Sequence, residues 1–206
     1  MHKLVLLRHG ESVWNRDNIF TGWTDVELSE RGVEQAKIAG RILQKNGFVF
    51  DLAFTSVLQR AANTLAIVLK EMGLADVVAI DSSACLNERH YGALQGINKK
   101  EVIEKFGQQQ TQKWRRGYSD KPPEGESLAD VVERVAPYWQ EKIAPAILAG
   151  KNVLLVAHGN SLRALVKLLD HLSDQEVESV EIPTGLPLVY EFNDDLSPIK
   201  HYYCQE

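Results

Sequence analysis

The sequence contains no apolar run near the roughly 18 to 20 residues that a membrane-spanning helix requires. Its opening, MHKLVLLRHGES, reaches Arg8, His9 and Gly10 too early for the apolar region and cleavage site of a secretory leader. Cysteine is scarce. Cys85 and Cys204 show no C-x-x-C or Cys/His ligand spacing, so both read as free thiols of a reducing compartment. The expectation is a cytoplasmic protein that works away from membranes. A surplus of positive charge is missing as well. With 23 Lys and Arg against 28 Asp and Glu, the net charge of −5 argues against broad nucleic-acid binding, and it leaves a small anionic ligand open. No GxxxxGKS/T loop, HExxH pair or acidic metal cluster occurs, so metal-assisted chemistry loses ground. What is present is ordinary: 206 residues, 44% apolar and 25% charged, exclude a disordered chain.

Short apolar runs of strand length alternate with longer segments of helical period, the pattern of an α/β layered domain. Strands are predicted over residues 4–7, 48–54, 77–80, 153–157, 188–192 and 199–203. The first and fourth, LVLL and VLLVA, are apolar on both faces and suit central strands covered by helices on each side. In the last two, turn residues Asn193, Asp194 and Asp195 precede Ile199, which predicts a hairpin near a sheet edge. Helices are predicted over 29–47 with Ser29 as N-cap, over 56–73, from Ser127 onward with a Ser127/Asp130 capping box, and over 161–172. Pro137 and Pro145 should kink or divide the third. The stretch 119–125, SDKPPEG, reads as a surface loop.

The most informative feature is an echo. LVLL runs into Arg8-His9-Gly10, and VLLVA runs into His158-Gly159-Asn160. In open α/β sheets ligands bind beyond the carboxyl ends of the parallel strands, so two strand-end histidines can face one another there. Each glycine would let the backbone turn sharply and a ligand approach closely. The helix opening at Asn160-Ser161 offers free N–H groups and the positive end of a dipole to an anion. Arg8, Arg60, Arg115 and Arg116 offer planar forks that match phosphate or carboxylate oxygens, although an isolated surface role is open to Arg60 and to the Arg115-Arg116 pair. A neutral histidine is a usable nucleophile toward phosphorus, and a second, if protonated, can hydrogen-bond the phosphoryl oxygens. Glu88, in NERHYG, is the candidate general acid and base; a salt bridge to Arg89 or Arg60 is the competing reading.

These residues resemble a known family. Arg8-His9-Gly10-Glu11 is similar to the signature of the histidine phosphatase superfamily, and RHGESVWN with FTGWTDVELSERG, from Arg8 to Gly32, resembles the cofactor-dependent phosphoglycerate mutases. TSVLQRA, LNERHYGALQGINK, WRRG, AHGNSLRALVK and IPTGLPLVYEF extend the likeness over nearly the whole chain. The resemblance implies a three-layer fold, a mostly parallel central sheet with helices on both faces. It implies that His9 is phosphorylated during turnover, that Glu88 donates and accepts protons, and that His158 stabilises the transferring phosphoryl group. Arg8, Arg60, Ser12, Asn15, Gly159 and Asn160 would form the phosphate pocket. Thr21, Gly22, Arg89, His90, Tyr91, Lys99, Arg115 and Arg116 would hold the rest of the substrate.

The implied reaction interconverts 3-phosphoglycerate and 2-phosphoglycerate in glycolysis and gluconeogenesis. It runs through 2,3-bisphosphoglycerate, which is also the primer that phosphorylates His9, and it needs no metal. The implied partner is this small substrate, with neither nucleic acid nor membrane, in a monomer or a homo-oligomer such as a dimer. The chain resembles the short form of the family: Pro122-Pro123-Glu124-Gly125-Glu126-Ser127-Leu128 joins elements that longer members separate by a charged segment. Two other readings use the same residues. A histidine phosphatase for a small phosphomonoester would need His9, His158, Arg8 and Arg60 alone, whereas a phosphate-binding module would not need His9, Glu88 and His158 together. With motifs running from Arg8 to Phe192, residues 1–206 are read as one domain.

Overall fold

Along the first strand, β1 (His2–Arg8), Leu4 and Leu6 point into one buried cluster and Val5 and Leu7 into another, as the two-residue period of a strand requires. The chain is described here from residue 2 to 205 of a computed structural model. After β1 come a single turn of helix α1 (Val13–Arg16), α2 (Glu30–Lys45), β2 (Leu52–Thr55), α3 (Gln59–Glu71) and β3 (Ala79–Ser82). Then follow α4 (Lys99–Phe106), α5 (Gln108–Arg116), α6 (Leu128–Tyr138), α7 (Ala144–Leu148), β4 (Val153–Ala157), α8 (Gly159–Leu169), α9 (Asp174–Ser179), β5 (Leu188–Phe192) and β6 (Pro198–Tyr203).

The six strands form one sheet in the order β3-β2-β4-β1-β5-β6. β3, β2, β4 and β1 run parallel, and β5 and β6 complete one side as an antiparallel hairpin. α2 and α3 cover one face through Ala36, Ala39, Leu43, Leu65, Val68 and Leu69, against Val5, Leu7, Leu154 and Val156. α6, α7 and α8 cover the other through Val131, Val135, Ile147, Leu162 and Leu165, against Leu4, Leu6, Leu155 and Ala157. The layered α/β fold with a mostly parallel sheet is the one expected, and β1 and β4 sit at its centre, apolar on both faces. A third apolar group, Phe20, Leu94, Val102 and Trp114, ties α4 and α5 to neighbouring loops. No helix among the described residues is long and apolar enough to cross a membrane.

Several boundaries move, each for a local reason. The run 48–54 enters the sheet only at Leu52, because its first part closes α2: Gly47 takes a positive φ of 72° and the Phe48 N–H bonds to Leu43 O. Val77 and Val78 bond back to Leu74 O, so β3 begins at Ala79. The Ser127/Asp130 capping box forms, with Asp130 N donating to Ser127 Oγ and Ser127 N to Asp130 Oδ2. Beyond it, Pro137 is accommodated inside α6, and the turn Trp139–Ile143 widens to a π-helix before α7, so the segment is bent without being cut. α8 starts two residues earlier than predicted, which makes His158 its N-cap.

Candidate active site

β1 and β4 are adjacent and parallel, with Arg8 level with Ala157, so the residues that follow them emerge side by side. The His9 N–H still bonds to Ala157 O, at 3.0 Å. The rings of His9 and His158 meet edge to face with centroids 4.9 Å apart, and both are buried. Neither following glycine has a positive φ. A Cβ on Gly10 would stand 2.1 Å from Gly32 O, so this glycine serves the close approach of α2 rather than a sharp turn or a ligand.

A hydrogen bond settles the tautomer of the His9 ring. His9 Nδ1 lies 2.6 Å from Gly10 O, and a carbonyl only accepts, so the proton sits on Nδ1 and Nε2 keeps its lone pair. Burial, then the charges of Arg60 and Arg8, hold the His9 imidazole well below its ordinary pKa, so the ring is neutral at pH 7. His158 Nε2 lies 2.7 Å from Ser56 Oγ, a hydroxyl that also accepts the Leu58 N–H and can either donate to the ring or accept from it. His158 Nδ1 is buried and unpartnered among the described residues. Burial first, then Arg60, keeps this imidazole neutral too, so the condition for it to donate as a cation, that it be protonated, is not met. A phosphate anion beside it would favour the protonated ring, which can donate to phosphoryl oxygens.

Glu88 reaches the site from the loop after β3. Its Oε1 accepts from Arg89 N at 2.9 Å, from Asn160 N at 3.0 Å and from Asn160 Nδ2 at 2.9 Å. The competing salt bridge does not form. Arg89 turns its guanidinium to Trp114 O and Gly117 O, and Arg60 donates to Gly22 O and Thr24 O. Arg60 is no surface residue: it is 1% exposed, and burial pushes its pKa down to about 10.

A cavity of about 310 Å³ opens on His9, lined by six cationic side chains, Arg8, Arg60, Lys99, Arg115, Arg116 and Arg163, and by two carboxylates, Glu88 and Glu181. Arg8 Nε is buried without a partner. Lys99, at the start of α4, is pushed down to about 8 by burial and by the charges of Arg115 and Arg8. Cations crowded to this extent and short of counter-charge mark a site for an anion of several charges. Asn15, Thr21, Gly22, Tyr91, Gly159 and Asn160 also line the cavity. Gly22 is held at φ 55°, where a Cβ would strike Gln95 Oε1.

Four expected residues are not among those that line the cavity. Ser12 caps α1 by bonding Asn15 N, and His158 lies against His9. Arg89 holds the end of α5, and His90 accepts Gly92 N and meets the Trp23 ring. Sequence reasoning missed Arg163, Glu181 and Ser56. Arg163 had a signal, since it stands three positions after Asn160 on one helix face. Glu181 pairs with Arg116, and Trp23 Nε1 donates to Glu88 O.

Residues 4–205 match the family described as the histidine phosphatase superfamily (branch 1). The chain belongs to the histidine phosphatase superfamily, branch 1. Within that superfamily it is 51% identical, over 226 residues, to the 2,3-bisphosphoglycerate-dependent phosphoglycerate mutase of Hamiltonella defensa subsp. Acyrthosiphon pisum (strain 5AT); the match covers 98% of this chain and 90% of that one. Among solved structures it is similar to mycobacterial glucosyl-3-phosphoglycerate phosphatase in complex with VO3, with a TM-score of 0.81 and 29% identity over 100% of this chain and 99% of that one. It is also similar to the alpha-ribazole phosphatase from Shigella flexneri, with a TM-score of 0.76 and 25% identity over 93% and 91% of the two chains.

Proposed function

We propose that this superfamily member is a phosphoglycerate mutase: it interconverts 3-phosphoglycerate and 2-phosphoglycerate by way of a phosphohistidine on His9. The observation that carries the reading is the second set of cations, Lys99, Arg115 and Arg116, in the cavity of His9. A phosphatase for a simple monoester needs one phosphate pocket, which Arg8, His9, Arg60 and His158 already supply. A phosphoglycerate presents a carboxylate besides the phosphate that reacts, and 2,3-bisphosphoglycerate presents a carboxylate and two phosphates. The cationic excess and the bare Arg8 Nε fit the bisphosphate. Arg8, Arg60 and His158 would hold one phosphate, and Lys99, Arg115 and Arg116 the other phosphate and the carboxylate. When bound, 2,3-bisphosphoglycerate supplies the phosphoryl group that loads His9.

His9 Nε2 attacks phosphorus in line with the leaving oxygen, and the proton on Nδ1 stays bound to Gly10 O throughout. Arg8, Arg60 and His158 take up the charge that moves onto the equatorial oxygens. Glu88 gives a proton to the leaving hydroxyl oxygen, and in the reverse transfer it takes the proton from the attacking hydroxyl, as microscopic reversibility demands. Phosphorylated His9 must meet a hydroxyl of the substrate before it meets water. Its burial, at 2% exposure, serves that end. We further propose that residues 1–206 act as one domain in the cytoplasm.

The test is an enolase-coupled assay, with and without 2,3-bisphosphoglycerate, alongside a measurement of released phosphate. Isomerisation that depends on the bisphosphate and releases little phosphate is expected. Phosphate release matching substrate loss would assign a phosphatase instead. Lys99 gives a further expectation. Anions bind its protonated form, and with a pKa near 8 that form is lost as pH rises, so kcat/KM should fall toward about tenfold per unit above pH 8. Lys99→Arg keeps its charge in this range and should flatten the fall. A profile identical in the variant would assign the titration to another group.

A further inference from the structure

The amide of Asn160 has a direction that its neighbours enforce. Its Nδ2 donates to Glu88 Oε1 at 2.9 Å and to Tyr91 Oη at 3.3 Å, while its Oδ1 accepts from Arg163 Nη1 at 3.0 Å. Turned over, the oxygen would face a carboxylate and the NH2 group would face a guanidinium, which are two repulsive contacts in place of two bonds. Arg163 is 4% exposed, and burial pushes its pKa down to about 10. It is hydrogen-bonded to neutral oxygens alone: besides Asn160 Oδ1, Nη2 reaches Val177 O at 2.7 Å and Arg116 O at 3.1 Å, and Nε reaches Val177 O at 3.3 Å.

Packing gives no reason to bury a cation there. A charge removed from water and met by dipoles alone is a poor source of stability, and a methionine fills a similar volume. A planar fork, in contrast, can grip three oxygens on three sides, which neither lysine nor methionine can do. One arm ends on the amide that holds the Glu88 carboxylate, and the other ends on the backbone of Arg116, whose side chain also lines the cavity.

We propose that Arg163 is a positioning residue: it sets the orientation of the Asn160 amide, through it the aim of the Glu88 carboxylate, and it holds this proton-transfer arm in register with the Arg116 segment. The inference rests on the reading of Glu88 as the group that moves protons.

Arg163→Met is expected to lower kcat for isomerisation about 100-fold and to change KM for 3-phosphoglycerate less than about threefold. Because Arg163 acts through Asn160, the double variant with Asn160→Ala should have a kcat within about twofold of Asn160→Ala alone. Arg163→Lys keeps the charge but cannot reach three acceptors, so it should lose about tenfold in kcat. It replaces the methionine variant in the cycle if that variant fails to fold. A second readout needs no mutase activity. The Asn160 side-chain amide, identified in NMR spectra by its loss in Asn160→Ala, should exchange slowly with water in the wild type and fast in either Arg163 variant. Additive losses in the cycle, or an unchanged amide, overturn the proposal. A wild-type protein that does not isomerise but shows the amide change overturns the mutase reading and leaves the role of Arg163 standing.

Discussion

A His9→Gln protein is expected to lose isomerisation by on the order of 10⁴-fold or more while keeping its fold and its affinity for phosphoglycerate. The size of the loss follows from the chemistry. Without Nε2 no covalent intermediate forms, and each tenfold of rate is about 1.4 kcal/mol of barrier that the cations of the cavity would have to supply by themselves. Glutamine is the fitting substitute because it occupies much of the volume of the imidazole ring, while its amide nitrogen has no free lone pair with which to attack phosphorus. Leaving a hole at a residue that is 2% exposed is thereby avoided. The check is direct. Wild-type protein mixed with 2,3-bisphosphoglycerate should gain one acid-labile, base-stable phosphate, and the variant none. Phosphate appearing on the variant, or isomerisation at the wild-type rate, would remove His9 from the proposed role.

Both histidines were legible in the sequence because the apolar pattern ends at them. LVLL and VLLVA, apolar on both faces, suit central strands, and central parallel strands deliver their next residues to one edge of a sheet. The hairpin at the sheet edge was legible from its turn residues for a similar reason. Elements with little apolar content were not. Lys99–Phe106 and Gln108–Arg116 bury only Val102, Thr111 and Trp114, so no stripe announces them, yet they carry Lys99, Arg115 and Arg116 to the cavity. Which residues touch ligand and which stand behind was equally hidden. Arg89 and His90 share a motif with Glu88 and Tyr91, but the loop turns Arg89 inward to Trp114 O and Gly117 O. The His9 tautomer lay wholly beyond sequence reasoning, since it depends on Gly10 O reaching a particular ring nitrogen.

Glu88→Gln is expected to slow isomerisation about 10²- to 10³-fold with KM nearly unchanged, the range that a positioned acid and base contributes. The substitution is well suited to separate chemistry from structure. All three hydrogen bonds that end on the carboxylate use Oε1, and a glutamine oxygen can accept from Arg89 N and both Asn160 donors in the same place. What is lost is the exchangeable proton. A phosphate ester with an activated leaving group, such as p-nitrophenyl phosphate, needs no protonation on departure, so the variant should transfer its phosphoryl group to His9 at close to the wild-type rate. Glu88→Ala supplies the contrast. It strands the Arg89 N–H and the Asn160 donors in a part-buried wall, and about 1 to 3 kcal/mol of stability should go with each donor left without water. If Glu88→Gln slows the activated ester as much as the natural substrate, or raises KM in step with the loss in kcat, Glu88 holds the substrate or the wall of the cavity and moves no proton.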